Sequence, residues 1–177
     1  CESPATSGDR MEYIFWLAVA GSIYSYFLYP IMLLLMPPRS VDVSACSTDL
    51  PSVTLIVTAH NEESRIAEKL QNTLQIDYPV DKLEVIIASD ASTDGTDGIV
   101  NGYADNGIQL VRANERKGKE YAQWHAIQAA KGDILVFSDV ATRIPQDGVR
   151  LIADKFVDPK VGAVSSEDRF VNESGRV

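Results

Sequence analysis

The sequence predicts an α/β fold: a mainly parallel sheet with helices on both faces, preceded by one N-terminal transmembrane helix. Three observations predict it. From Tyr13 to Met36 no residue is charged. Beyond Pro51, short β-rich runs alternate four times with helically periodic segments and end on a further such run, the pattern of βαβ units. The first runs are almost unbroken, as expected of strands covered on both faces.

The first element is "YIFWLAVAGSIYSYFLYPIMLLLM", residues 13–36. Crossing roughly 30 Å of hydrocarbon takes about 20 apolar residues, which this run supplies. Trp16, Tyr24, Tyr26 and Tyr29 are amphipathic aromatics suited to an interface. Pro30 kinks the helix, and Pro37 and Pro38 end it. The run is long for a signal-peptide core of about 7–15 residues and no small-residue cleavage site follows, so a retained, single-pass anchor is expected. Residues 1–12 are an N-terminal extension, within which "MEYIFW" reads as a natural start at Met11 that leaves residues 1–10 upstream. Arg10 and Arg39 stand on opposite sides, so charge hardly decides orientation. The domain that follows is expected in the cytoplasm.

Residues 37–50 read as a linker and 51–177 as one domain, within the usual range of roughly 100–200 residues. In that domain Val53–Ala59, Leu83–Ser89, Ile108–Arg112, Asp133–Ser138 and Val161–Ser166 are the expected strands. The first helix carries Ile66, Leu70 and Leu74 as one stripe, with Glu62 and Glu63 near its N-terminus. "STDGTDGIVNGYA" is a turn running into a short helix. The next helix sets Ala122, Ala126, Ile127 and Ala130 on one face, and the last sets Val149, Ile152, Ala153 and Phe156, with Pro145 at its start. The net charge of −9 argues against a nucleic-acid partner, whose phosphates demand a basic face. It does not exclude a nucleotide. Cys1 and Cys46 lack metal-ligand spacing and do not make a disulfide scaffold.

In open parallel sheets ligands bind at the carboxyl ends of the strands. Here those ends read "AHNEE", "SDASTDGT" and "SDVAT", all on one rim. Asp90 is suited to accept hydrogen bonds from base or ribose groups, or to form an Asx-type turn, a role that fits Asp94 and Gly95 better. Lys119 follows Gly118 at a loop-to-helix junction behind Arg116 and Lys117. Cations and N–H groups there suit a diphosphate. No GxGxxG follows any strand, which argues against a dinucleotide enzyme.

The ordered stretches "VTLIVTAHNEE", "IIASDASTDGT", "RKGK" and "ILVFSD" resemble glycosyltransferase family 2, inverting nucleotide-sugar transferases of GT-A fold whose membrane-bound branch is cellulose and hyaluronan synthase-like. The resemblance implies a membrane-anchored enzyme that moves a sugar from a nucleotide-sugar donor, by default a UDP-sugar, to a glycan or lipid acceptor. It implies nucleotide-binding roles for Ala59, His60, Asn61, Glu62, Asp90, Gly118 and Lys119. It also makes Asp139 the first acid of a DxD-type motif holding Mg²⁺ or Mn²⁺ against the diphosphate. The third position of that motif is Ala141, which cannot ligate. Trp124 stands where many relatives carry Asn; packing of Trp124 and His125 against the sheet is the favoured reading, a reshaped sugar pocket the other. The family's catalytic base is expected beyond Val177, the chain being read as an N-terminal fragment, with Glu167 and Asp168 as candidates within it. The alternative is a non-catalytic module that binds sugar-nucleotide or a partner.

Overall fold

The computed structural model describes residues 7–36 and 50–166, and Cys1 and Cys46 lie outside these. Contacts divide the chain into two units, Cys1–Val41 and Asp42–Val177.

The first unit is helical: α1 (Ser7–Ile23), a π turn (Tyr24–Leu28) and α2 (Tyr29–Leu35). Helix therefore starts six residues ahead of the apolar run, because residues 7–12 include no proline to stop it. Pro30 has no N–H to give the carbonyl four residues back, and its ring crowds that carbonyl. The backbone answers with a wider turn in which the Tyr29 N–H bonds to Tyr24 O, five residues earlier. Arg10–Leu35 is long and apolar enough to span a membrane by length and composition.

The second unit is built on four parallel strands in the order β3-β2-β1-β4: β1 (Val53–Ala59), β2 (Leu83–Ser89), β3 (Ile108–Arg112) and β4 (Ile134–Asp139). Val53 pairs with Leu83 on one side and Ile134 on the other, so all three strands start level and end on one rim. Between them run α3 (Ile66–Leu74), α4 (Thr96–Asn101) and α5 (Lys119–Ala129), and α6 (Gly148–Lys155) follows β4. Strand alternation divides the core in two. Val53, Leu55, Val57 and their neighbours pack with Ile66 and Leu70 of α3, Val100 of α4, and Val149 and Ala153 of α6. Ile56, Ile86 and Ala88 pack under Ala122 and Ala126 of α5. Helices thus cover both faces.

Three expectations fail locally. Residues 161–166 form no strand; their side chains are mostly exposed, so the apolar residues there have no covering layer to hold a ladder. Leu74 is exposed and Thr73 buried, because α3 turns its 66-69-70-73 face to the sheet. Ile127 is also exposed; Ala129 packs on the sheet in its place, beside the expected Ala130. In addition α3 begins only at Ile66, after a turn closed by Ile66 N–H to Glu62 O at 2.8 Å.

The rim opposite the site is tied by polar bonds. Buried Thr54 donates to Glu84 and accepts from the Gly132 N–H, and Asp133 exchanges bonds with Ser52. A Cβ on Gly132 would lie 2.5 Å from Thr54 N and 2.6 Å from Val53 C, atoms of the central strand that cannot yield. Gly98, inside α4, has open space around its missing Cβ. Gly132→Ala is therefore expected to destabilise by about 1–3 kcal/mol or more, and Gly98→Ala to stabilise by roughly 0.5–1 kcal/mol. Denaturant unfolding of the two variants checks the contrast.

Candidate functional site

The chain leaves β1 towards β2 on one side, while β4 returns on the other. The carboxyl ends of β1 and β4 therefore flank the point where strand order reverses, the usual crevice for a ligand. The candidate residues gather on this rim.

Asp90 follows β2 directly and is only 4% exposed. Its Oδ1 accepts from the N–H groups of Lys117 and Gly118 at 3.1 and 3.2 Å, and its Oδ2 from Gly118 N–H at 3.0 Å. In this structure the carboxylate is aimed at the loop that opens α5, and those two N–H groups are committed to it. Gly118, at φ 97°, occupies backbone space that a side chain disfavours. That turn sets Lys119 as the first residue of α5, and its Nζ reaches both carboxylate oxygens of Asp139, at 2.7 and 2.9 Å. The two side chains are 53% and 49% exposed, so the pair is worth no more than about 1 kcal/mol. Gln123, one turn on, donates to Thr58 beside Asp139 in the β1–β4 register.

The loops after β1 and β2 lock together. His60 donates through Nδ1 to Asp90 O at 2.7 Å. Asn61 accepts from the Thr93 N–H, and its own N–H donates to Ser92. The Glu62 N–H donates to Thr96. Glu63, expected at a helix N-terminus, accepts instead from the Gly95 N–H. Asn61 and Ala91, the second residues after their strands, both have positive φ, 52° and 50°. Asn tolerates this region, whereas at Ala91 it stores roughly 1–3 kcal/mol of strain beside the site. Arg112 closes the far end through Asp97 and Ser92 O. Asp94 caps the first turn of α4, and its bond from Thr96 holds its carboxyl below the ordinary range.

Lys69 was not singled out in the sequence, yet it is 3% exposed behind Asp139. It donates to Ser138 Oγ at 2.8 Å and Thr142 O at 2.5 Å. Burial pulls its pKa down to about 8, against the opposing pull of Asp139. The signal was available: Lys69 occupies the i+3 position of the inward stripe that begins at Ile66. Trp124 is 55% exposed and does not pack on the sheet, since it lies on the side of α5 opposite Ala122 and Ala126. Its contact is edge-to-face with His125, which meets Tyr121 likewise. Lys117 lies over the Tyr121 ring and pairs with Glu115. Glu167 and Asp168 lie outside the described residues.

Among the described residues no three His, Cys, Asp or Glu side chains gather where a metal could sit. Asp139 offers one accessible carboxylate, and Ala141 beside it is exposed and without a ligand atom. This suits a hard cation that takes one or two carboxylates and completes its shell with phosphate and water.

Fold and rim together define an open parallel α/β protein with an exposed charged pair at its switch point. The sequence model of glycosyl transferase family 2 matches residues 54–176. The chain belongs to that family. It is 34% identical over 141 residues to a beta-monoglucosyldiacylglycerol synthase of Synechocystis, covering 77% of this chain and 29% of that protein. It is 32% identical over 130 residues to an N-acetylglucosaminyltransferase of Bradyrhizobium elkanii, covering 71% of each. Among solved structures it resembles the mannosyltransferase PcManGT of Pyrobaculum calidifontis, in complex with GDP-Man and Mn²⁺, with a TM-score of 0.71 and 37% identity over 86% of this chain and 45% of that one. The chain thus spans under half the length of that mannosyltransferase and under a third of the Synechocystis synthase.

Removing the Asp90 carboxylate leaves the Lys117 and Gly118 N–H groups without their acceptor. Asp90→Ala is expected to cost about 1–3 kcal/mol and to speed hydrogen exchange at those two amides. Lys69 gives a second expectation. Below pH 8 it is protonated in both folded and unfolded states, and the burial penalty is present in full. Between about 8 and 10.5 the folded protein sheds the proton first. Stability should therefore rise with pH across that window, by on the order of 3 kcal/mol. Denaturation curves of Lys69→Met should be flatter there.

Proposed function

We propose that this chain is the donor-binding part of a membrane-anchored, inverting glycosyltransferase that uses a nucleoside diphosphate sugar and a glycan or lipid acceptor. The observation that carries this reading is the Lys119–Asp139 pair at the switch point, held there by the Asp90-bound loop. The name of the Synechocystis relative favours a lipid acceptor, and the GDP-Man and Mn²⁺ of the mannosyltransferase favour a diphosphate donor with a divalent cation. Arg10–Leu35 serves as the anchor.

In this reading Ala59, His60, Asn61 and Glu62 line the nucleoside side of the crevice, with Asp90 fixing the wall between them and α5. Asp139 would hold Mg²⁺ or Mn²⁺, which would supply positive charge against the negative charge of the departing diphosphate. Lys119 exchanges its carboxylate partner for a phosphate oxygen, a cheap exchange because the pair is half exposed. The Lys119 and Glu120 N–H groups begin α5 on the same rim, where a helix start favours an anion. The acceptor hydroxyl attacks the anomeric carbon in line; its bond to that carbon forms as the bond to the diphosphate oxygen breaks. Its proton goes to a carboxylate within hydrogen-bonding reach, which we assign to a segment outside the described residues.

Calorimetric titration of the chain with UDP and with GDP, each with and without Mn²⁺, tests the assignment. The wild type should bind one of them in a Mn²⁺-dependent manner. Asp139→Ala should abolish the Mn²⁺-dependent part, and Lys119→Ala should weaken binding about tenfold, the scale of a lost charge-assisted bond. Equal Mn²⁺-dependent affinity in wild type and Asp139→Ala would remove Asp139 from the site.

A further inference from the structure

The geometry points to Lys69, assisted by Asn72, as the positioning residue that fixes the turn carrying Asp139, in a motif that lacks a second carboxylate. This rests on the reading of Asp139 as a cation ligand.

A lysine at 3% exposure is unusual, because burying an ammonium is expensive unless hydrogen bonds replace its water. The replacements for Lys69 come from the residues flanking Asp139. Ser138 Oγ lies one residue before it, and Thr142 O three residues after. The same backbone turn is closed by the Thr142 N–H bonding to Asp139 O at 3.1 Å. Lys69 therefore grips both ends of the turn Asp139 begins. One helical turn further on, Asn72 makes a two-bond clasp with Ile144: its Nδ2 donates to Ile144 O at 2.8 Å, and its Oδ1 accepts from Ile144 N–H at 2.9 Å. Buried Val140 anchors the turn from the core side.

The clasps come from one rigid element. Ile66 and Leu70, on the same face of α3, are fully buried against the sheet. The 138–144 segment is thus referenced to the core twice, through the clasps from α3 and through its own Val140 and Ile144. A site with a single protein carboxylate has nothing to compensate for error in the direction of that carboxylate, so fixing it matters more than in a site with two.

Charge and position make opposite predictions. Lys69 is a cation near Asp139, and by Coulomb's law alone its removal would tighten binding of Mn²⁺. A positioning role means its removal loosens the turn and weakens binding.

The test uses the full chain, with UDP or GDP (whichever the wild type binds) and Mn²⁺ as probes, and three readouts: the Mn²⁺ dissociation constant at saturating nucleotide, the melting temperature, and hydrogen exchange at residues 140–144. Lys69→Met is expected to weaken Mn²⁺ by about tenfold or more, the range seen when partners of a metal ligand are removed, and to speed exchange in the turn. Asn72→Ala, which leaves the charge in place, should weaken Mn²⁺ about threefold, a smaller fraction of the same range, and covers the case in which Lys69→Met does not fold. Unchanged or tighter Mn²⁺ binding in Lys69→Met, or unchanged binding in Asn72→Ala, overturns the proposal even if melting temperatures fall. A wild type with no Mn²⁺-dependent nucleotide binding overturns the donor-site reading itself, and this inference with it.

Discussion

The hydrogen bonds from Lys117 and Gly118 N–H to the buried Asp90 carboxylate organise the rim. A carboxylate so nearly excluded from water must find donors within the protein, and those it finds belong to a loop that would otherwise be irregular. Accepting them fixes the left-handed turn at Gly118, the turn starts α5 at Lys119, and that starting point brings the ammonium onto Asp139. Residues from three strand ends are thereby connected through one buried charge. The Asx-turn role considered for Asp90 falls instead to Asp94, which caps α4.

Topology supplies the rest. With all strands parallel and in level register, each loop that follows a strand must emerge on the same rim. The order β3-β2-β1-β4 puts the switch point between β1 and β4. The rim then divides into fixed and exchangeable parts. Asn61, Thr93, Glu63 and Gly95 are bonded loop to loop and have no reason to move. The Lys119–Asp139 contact is exposed, weak and easily replaced, as a site that takes up a charged ligand requires. Behind it, Lys69 and Asn72 secure the backbone so that only the side chains exchange.

The fold was legible in the residues because its two central strands are buried on both faces. "VTLIVTA" and "LEVIIAS" admit little else between polar loops and keep their expected boundaries, while the strand expected over "DILVFS" is displaced by one residue to Ile134–Asp139. "VGAVSS" carries a similar composition but no partner layer covers it, and composition cannot report whether a neighbour exists. Helix faces were read less well for a comparable reason. Stripes drawn through the apolar letters alone selected Leu74 and Ile127, whereas the inward face of α3 includes Lys69 and Thr73. A lysine ordinarily signals solvent, so the residue behind Asp139 was invisible to a hydrophobicity pattern. The resemblance to family motifs located Asp90, Lys119 and Asp139, but not the loop contacts that bind them together.

A crystal structure of the chain with nucleoside diphosphate and Mn²⁺, with anomalous scattering to locate the metal, tests the account most directly. The account predicts manganese at about 2.1 Å from an Asp139 carboxylate oxygen, a usual distance for a hard divalent cation. It also predicts Lys119 Nζ moved from Asp139 to a phosphate oxygen, with the Asp90 bonds to Lys117 and Gly118 intact. Manganese bound elsewhere, or a diphosphate seated while Lys119 stays on Asp139, would contradict it.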